Sequence, residues 1–213
     1  MDRRLKRLIT TVLKFGLTIA ALYYVFTRIE FGNVLGIIGQ SDLWLLIAAL
    51  VLFIASKMIS ALRLNIFFRR TGLALTELQN LKLYLLGMFY NLFLPGGIGG
   101  DGYKIYLLQK NYRTGTVKLF GSVLTDRLSG MAMLAVLALL IFSLIDVPLS
   151  WNRAGFLIIP LVIAGLYLFC RLFYRYFLPV FAVTMLYSLL VQVLQMACAA
   201  MIVLALGGET AQL

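Results

Sequence analysis

Long uninterrupted runs of apolar residues constrain this chain more than any other feature. Six such runs occupy residues 8–26, 43–62, 81–94, 119–145, 154–170 and 180–206. A helix needs about 20 apolar residues to cross the hydrocarbon core of a bilayer, and most of the runs reach or approach that length. Hydrophobic residues make up 62% of the chain and charged residues 13%, against about a half and about a quarter in soluble domains. We therefore predict an all-α integral membrane protein.

The charged residues lie in short segments between these runs and orient them. The formal net charge is +11, from 19 Lys and Arg against 8 Asp and Glu. Cytoplasmic loops of membrane proteins carry an excess of Lys and Arg and face anionic lipid. The chain is therefore predicted to be a multi-pass protein of the plasma or inner membrane with a cytoplasmic N-terminus, and no nucleic-acid partner is expected. Fourteen cations are assigned to the cytoplasmic side: Arg3, Arg4, Lys6, Arg7, Arg63, Arg69, Arg70, Lys82, Lys104, Lys110, Arg113, Lys118, Arg171 and Arg175.

Residues 81–108 are flanked by basic segments at both ends, so both ends are expected on the same side of the membrane. A re-entrant hairpin satisfies this condition, with one short helix over 81–94, a turn at 95–100 and a second short helix from about Gly102. Non-helical backbone at membrane depth is tolerated only where it is buried in protein or lines a cavity. The predicted architecture is about five transmembrane helices plus this re-entrant helical hairpin. The alternative is one tilted full crossing with the remaining loops reversed.

The turn of the hairpin is rich in glycine and is followed by two charges. Residues 95–104 read PGGIGGDGYK, which contains the letters of a dinucleotide-binding fingerprint. That fingerprint must follow a β-strand, whereas these glycines follow a predicted helix, so a dinucleotide site is rejected. A phosphate-binding P-loop is rejected as well, because it requires Gly-Lys-Ser/Thr and Tyr103 precedes Lys104 here. The N–H groups at the start of the second helix and the charge of Lys104 instead predict an anion site, for which a lipid phosphate is the natural ligand. The alternative is a structural hinge in which Lys104 extends to the interface. Under either interpretation Asp101 is expected to cap the second helix.

Asp126 and Arg127 interrupt the run at residues 119–145. Charges at membrane depth are costly and normally face the interior of the helix bundle in pairs. Because adjacent residues of a helix do not face each other, we expect separate partners, Lys104 for Asp126 and Asp101 for Arg127. The alternative is that the span begins at residue 128 and that both charges lie in a cytoplasmic loop.

The remaining polar residues within the runs receive structural interpretations. Lys57 is interpreted as extending to the cytoplasmic interface, and Gln192 and Gln195 as forming hydrogen bonds between helices. The chain has no His, and Cys170 and Cys198 lie in separate apolar runs. No metal site, cofactor or catalytic constellation is therefore predicted.

Two segments resemble the lysylphosphatidylglycerol synthase transmembrane region, a family that includes flippase-like membrane proteins. Residues 91–104, NLFLPGGIGGDGYK, resemble its first motif of Asn, Leu-Pro, a Gly cluster, an acid and a cation. Residues 123–128, VLTDRL, resemble the apolar-Asp-Arg segment that opens its next span. Together with the charge pattern, the resemblance implies a lipid- or substrate-binding role for ten residues: Asn91, Pro95, Gly96, Gly97, Gly99, Gly100, Asp101, Lys104, Asp126 and Arg127.

The resemblance also sets an expectation for the organisation of the chain. Family members commonly carry a second Pro- and Gly-containing motif followed by Gly-x-Arg-Glu, and residues 1–213 stop before such a motif. We expect a single transmembrane flippase-like domain over residues 1–213 that is incomplete at its C-terminus. The soluble aminoacyl-transfer domain of the bifunctional members has no counterpart in this sequence, so synthase activity is not predicted.

The leading functional prediction is a lipid translocase that moves an anionic or aminoacylated phospholipid, or a polyprenyl-linked lipid, between leaflets. In this prediction Lys104 and the glycine turn hold the phosphate, while Asp126 and Arg127 line the polar path. The main alternative is an accessory or scaffold subunit for envelope lipid biosynthesis, with an envelope enzyme or a second copy of the chain as its partner. An enzyme acting on membrane lipid is disfavoured, since the chain lacks His and a clear nucleophile and base.

Overall fold

The computed structural model describes residues 41–93, 99–144 and 155–207, together with Tyr23, Gly36 and Gly39. Between residues 41 and 207 of this part of the chain, every regular element is a helix. The elements are α1 (Leu43–Arg70), α2 (Glu77–Phe93), α3 (Gly99–Tyr112), α4 (Thr116–Leu144), α5 (Gly155–Phe173), a 3₁₀ helix (Arg175–Val180) and α6 (Phe181–Ala205).

Four helical segments among the described residues are long and apolar enough to span a bilayer. They are α1, α4, α5 and the continuous stretch Arg175–Ala205. Large apolar side chains such as Leu161 and Leu186 are exposed on them, as expected for surfaces that face lipid tails. The prediction of an all-α multi-pass membrane protein is confirmed. The predicted first span, residues 8–26, lies outside the described residues.

Local sequence signals set the helix ends. The Asp42 carboxylate accepts a hydrogen bond from the N–H of Trp44 at 2.9 Å and so caps the start of α1. Thr76 and Gln79 form a reciprocal capping box before α2, with N···O distances of 3.1 and 3.2 Å. After α1 the chain leaves the helical conformation at Gly72, whose φ is +86°, a value that costs glycine little.

The short helices α2 and α3 lie side by side in opposite directions, as the hairpin prediction requires. Near the tip, the Asn91 side chain contacts the backbone of Gly100 at 2.8 Å. Next to this contact, the ring centroids of Tyr90 and Tyr103 are 4.3 Å apart. This antiparallel pairing excludes the alternative of one continuous tilted crossing over 81–108. The tip itself, residues 94–98, lies outside the described residues, and the depth of the hairpin in the membrane stays a prediction.

The described basic segments converge at one end of the fold. The buried cluster there joins Phe68 at the end of α1, Leu83 early in α2, Leu108 late in α3 and Leu119 at the start of α4. Most of the predicted cytoplasmic cations border this cluster in sequence. Their common location agrees with a shared side of the membrane, but which side they face stays a prediction.

The chain divides into two compact units, and the candidate site described below lies wholly within one of them. Residues 47–201 form the larger unit, and residues 1–46 with 202–213 form the smaller one. In the smaller unit, the Asp42 N–H donates to the Ala205 carbonyl at 3.1 Å. The organisation of residues 1–213 as a single, incomplete domain stays a prediction.

Candidate functional site

The first part of the site is a carboxylate shared by two cations. Asp101 lies in the first turn of α3 and is 5% exposed. One of its oxygens is 2.8 Å from Nζ of Lys104, three residues along the same helix. The other oxygen accepts a hydrogen bond from Nε of Arg127 on α4. Asp101 therefore links the hairpin to α4, and this unit of three charges carries a net charge of +1.

The second part of the site is a buried ion pair between two membrane-spanning helices. Nε of Arg63 on α1 lies 2.7 Å from Oδ1 of Asp126 on α4, and the two side chains are only 6% and 12% exposed. Nη1 of Arg63 also donates to the Ser188 hydroxyl of α6 at 2.7 Å. Because one guanidinium donates to both helices, Arg63 joins α1, α4 and α6 at the same level of the bundle.

These two groups line one cavity of about 220 Å³. Its wall contains four cationic side chains and two carboxylates, so the described lining has a net charge of +2. Uncharged polar side chains make up much of the remaining wall. The charged and polar lining residues are Lys57, Arg63, Lys104, Arg127, Asp101, Asp126, Ser60, Tyr84, Asn91, Gln192 and Gln195.

The cations differ in how accessible they are. Lys104 is only 5% exposed, and its ammonium lies 5.2 Å from the centroid of the Tyr84 ring. The Arg127 side chain is 45% exposed, although it also contacts Asp101. A guanidinium can bind a phosphate through two parallel hydrogen bonds. Arg127 is therefore the cation that an incoming anion can contact most directly.

Close packing of backbone explains part of the glycine cluster. A side-chain carbon added at Gly100 would collide with the carbonyl group of Gly87 and with the Asn91 amide oxygen. A carbon added at Gly87 would collide with the Lys104 side chain. Gly102, in contrast, faces open space. Gly87 and Gly100 thus let α2 and α3 approach closely enough for Asn91 to bond α3, whereas no contact requires glycine at position 102.

The structure corrects two predictions about individual contacts. Asp101 does not precede α3 as a cap, because α3 begins at Gly99. The Gly100 N–H is instead satisfied by the Asn91 side chain of α2, which leaves the Asp101 carboxylate to pair with cations. The predicted pair of Asp126 with Lys104 is also wrong, since Asp126 pairs with Arg63 and Lys104 with Asp101.

Other predictions about polar residues in the spans agree with the structure. The predicted contact of Arg127 with Asp101 is present. Both Asp126 and Arg127 lie well inside α4, which begins at Thr116, so the alternative of a loop before residue 128 is wrong. Gln192 forms the predicted interhelical bond, with its Nε2 donating to the Gly130 carbonyl of α4 at 2.9 Å.

The sequence analysis missed the role of Arg63. The predicted span ended at residue 62, which placed Arg63 in a cytoplasmic segment, but α1 continues to Arg70. A signal was present in the sequence: Ser56, Ser60 and Arg63 recur at intervals of three or four residues, the spacing that marks one face of a helix. All three are buried in the structure.

Of the ten predicted binding residues, five line the cavity: Asn91, Asp101, Lys104, Asp126 and Arg127. Gly99 and Gly100 open α3 next to it. Pro95, Gly96 and Gly97 lie outside the described residues. The binding of lipid by these residues stays a prediction.

Comparison with known proteins identifies the family. Residues 11–211 match the family described as the lysylphosphatidylglycerol synthase TM region. The chain belongs to this family. Over 129 residues it is also 23% identical to a UPF0104 membrane protein of Pyrococcus horikoshii, a match that covers 60% of this chain and 38% of the relative. The chain thus spans well under half of that relative's length. No solved structure matches it.

The two segments on which the resemblance rested meet at the cavity. The segment at residues 91–104 supplies Asn91, Asp101 and Lys104, and the segment at residues 123–128 supplies Asp126 and Arg127. The two motifs are separate in the sequence but adjacent in the fold. Membership in this family makes the protein a multi-pass membrane domain and suggests a role related to membrane lipid.

Proposed function

We propose that this protein moves an anionic lipid between the leaflets of the membrane. The observation that carries the proposal is a polar cavity with a net charge of +2 inside a bundle of apolar, membrane-spanning helices. A charge in the hydrocarbon core is costly, so ionisable residues there normally mark a pathway or a ligand. A lipid phosphate is the anion that a membrane supplies in quantity.

The size of the cavity suits a head group rather than a whole lipid. Its volume is about 220 Å³, below the roughly 300–1,000 Å³ of pockets that enclose a drug-sized ligand. In the proposal, the phosphate enters the cavity and contacts Arg127 while the acyl or prenyl chains remain in the surrounding lipid. An anionic or aminoacylated phospholipid and a polyprenyl-linked phosphate share this chemistry.

The pairing of charges supports reversible binding. Lys104 and Arg127 both contact Asp101, so a phosphate that approaches Arg127 competes with a carboxylate already present. Competition of this kind limits affinity, and a translocase must release its substrate as well as bind it. The hairpin and the cations are proposed to face the cytoplasm, with the N-terminus on the same side.

The test is lipid exchange in vesicles that contain the purified protein. Vesicles of phosphatidylcholine carry a trace of phosphatidylglycerol with a fluorophore on one acyl chain, and an impermeant reductant removes the signal from the outer leaflet only. Wild-type protein should make the inner-leaflet probe accessible, and Arg127→Gln should slow this exchange by about tenfold or more. Lys118→Gln is the matched control, since Lys118 is exposed in the first turn of α4 and does not line the cavity.

Each alternative function has its own outcome in this experiment. Equal exchange with and without wild-type protein would refute translocation. A phospholipid of altered mass in the recovered lipids would indicate an enzyme. If the protein is a scaffold, wild-type protein should give no lipid exchange, and the Arg127→Gln variant should still support the protein's role in cells.

A further inference from the structure

The cavity extends beyond the two charged groups to a third level, where Lys57 lies. Lys57, Ser60 and Leu64 all line the cavity, and their spacing places them on one face of α1. Lys57 precedes Arg63 by six residues, which corresponds to about 9 Å along a helix. It is the fifteenth of the 28 residues of α1. Lys57 therefore lies near the middle of a membrane-spanning helix, on the side away from the basic end.

Lys57 differs from the other cations of the cavity because no carboxylate of the described residues lies within ion-pair distance of it. Arg63, Lys104 and Arg127 each have an aspartate within ion-pair distance. Within the described residues, no such pair involves Lys57, whose ammonium instead lies 4.9 Å from the centroid of the Phe53 ring on its own helix. Lys57 was predicted to extend to the cytoplasmic interface. The structure instead places it in the lining of the cavity near the middle of α1.

Two glutamines of α6 provide uncharged donors in the same cavity, beyond Arg63. Gln192 and Gln195 line the cavity from α6. Gln192 contacts the carbonyl of Gly130, one turn beyond Asp126 on α4. Ser188, which contacts Arg63, lies one turn before Gln192 on α6. Both helices thus place the glutamines beyond the Arg63 level, in the direction of Lys57.

We infer that Lys57, Gln192 and Gln195 form a second anion subsite, which receives the lipid phosphate after it has left Arg127. The inference rests on the proposed function and adds a step to it. An anion that leaves Arg127 for the bilayer centre loses its counter-charge, and a desolvated charge there is strongly disfavoured. An ammonium at mid-span that has no carboxylate partner among the described residues, with amide donors lining the same cavity, lowers that barrier. Lys57 then governs the rate of crossing, while Arg127 governs entry and affinity.

Separating rate from affinity provides the test. Binding is measured with dioctanoyl-phosphatidylglycerol on the protein in detergent, and exchange is measured with the labelled phosphatidylglycerol in vesicles. Lys57→Met should bind the short lipid within about twofold of wild type but exchange the labelled lipid at least about tenfold more slowly. Lys57→Arg should retain exchange because it keeps the charge. Arg127→Gln should lose both binding and exchange, and Lys118→Met should lose neither.

The outcomes separate this inference from the proposed function. Normal exchange by Lys57→Met, with impaired exchange by Arg127→Gln, would overturn the second subsite and leave the translocase proposal standing. Equal loss of binding in Lys57→Met and Arg127→Gln would also overturn it, because it would indicate one site rather than two. Absence of exchange by the wild-type protein would overturn both proposals. Binding by Lys57→Met also shows that the variant is folded.

Discussion

Replacing Arg63 by Met should destabilise the protein far more than replacing Arg69 by Met, although each arginine forms one ion pair from α1. The Arg63–Asp126 pair spans 2.7 Å with side-chain exposures of 6% and 12%. The Arg69–Glu77 pair spans 2.5 Å with exposures of 57% and 49%. The two ion pairs therefore differ chiefly in burial, and Arg69→Met serves as the control for Arg63→Met.

The expected magnitudes follow from that difference. Removing one partner of a buried pair leaves an uncompensated charge and costs about 3–5 kcal/mol. An exposed pair contributes about 0–1 kcal/mol, because water and salt screen it. Arg63→Met also leaves the Ser188 hydroxyl without its donor. The double variant Arg63→Met/Asp126→Leu should recover part of the loss, since neither member of this pair then remains as an uncompensated buried charge.

The assay follows unfolding through the thiol of Cys170, which is 1% exposed in the folded protein. The purified protein in detergent, in a Cys198→Ser background, is heated with a dye that fluoresces on reaction with thiols. Arg63→Met should lower the unfolding midpoint several times more than Arg69→Met does. Equal shifts for the two variants, or a double variant less stable than Arg63→Met, would refute the reasoning from burial.

Three further predictions concern the hairpin. Gly100→Ala should lower thermal stability and lipid exchange, because the added carbon collides with the Gly87 backbone. Gly102→Ala should change neither, since position 102 faces open space. Equal losses in the two variants would contradict the packing argument. Asn91→Ala should cost about 1 kcal/mol in thermal unfolding by removing the cap of α3, and Asn91→Asp should retain most of it. Asn91→Cys, in a background without the native cysteines, should react with an impermeant thiol reagent added on the side of the membrane that the basic segments face. The reagent should not react when it is added on the opposite side. The reverse result would contradict the proposed orientation.

The features that the sequence predicted correctly are those with a local signal. The length of the apolar runs predicted the spanning helices, and basic segments on both sides of residues 81–108 predicted the hairpin. The need of Asp126 and Arg127 for partners of opposite charge was also predictable, because both lie at membrane depth. Of the two partners predicted from that need, Asp101 for Arg127 is correct and Lys104 for Asp126 is wrong.

The contacts that the sequence did not predict depend on helix extent and on packing between distant segments. Arg63 was assigned to a loop because an arginine usually ends an apolar run, yet α1 extends for two more turns and turns this side chain inward. The capping of α3 by Asn91 could not be predicted from propensity, since it requires α2 and α3 to approach at Gly87 and Gly100. Asp101 was the better local candidate, and tertiary packing gave it a different role.

The Arg63–Asp126 pair also has a consequence for how the chain is made. The two residues are 63 positions apart, so at about 5–20 residues per second the ribosome adds Asp126 roughly 3–13 s after Arg63. Inserting an arginine at the centre of a membrane helix costs about 2.5–3.5 kcal/mol, and during those seconds Arg63 lacks the carboxylate with which it pairs in the folded protein. We therefore expect α1 to depend on the insertion machinery until α4 has been synthesised, and Arg63→Met to reduce that dependence.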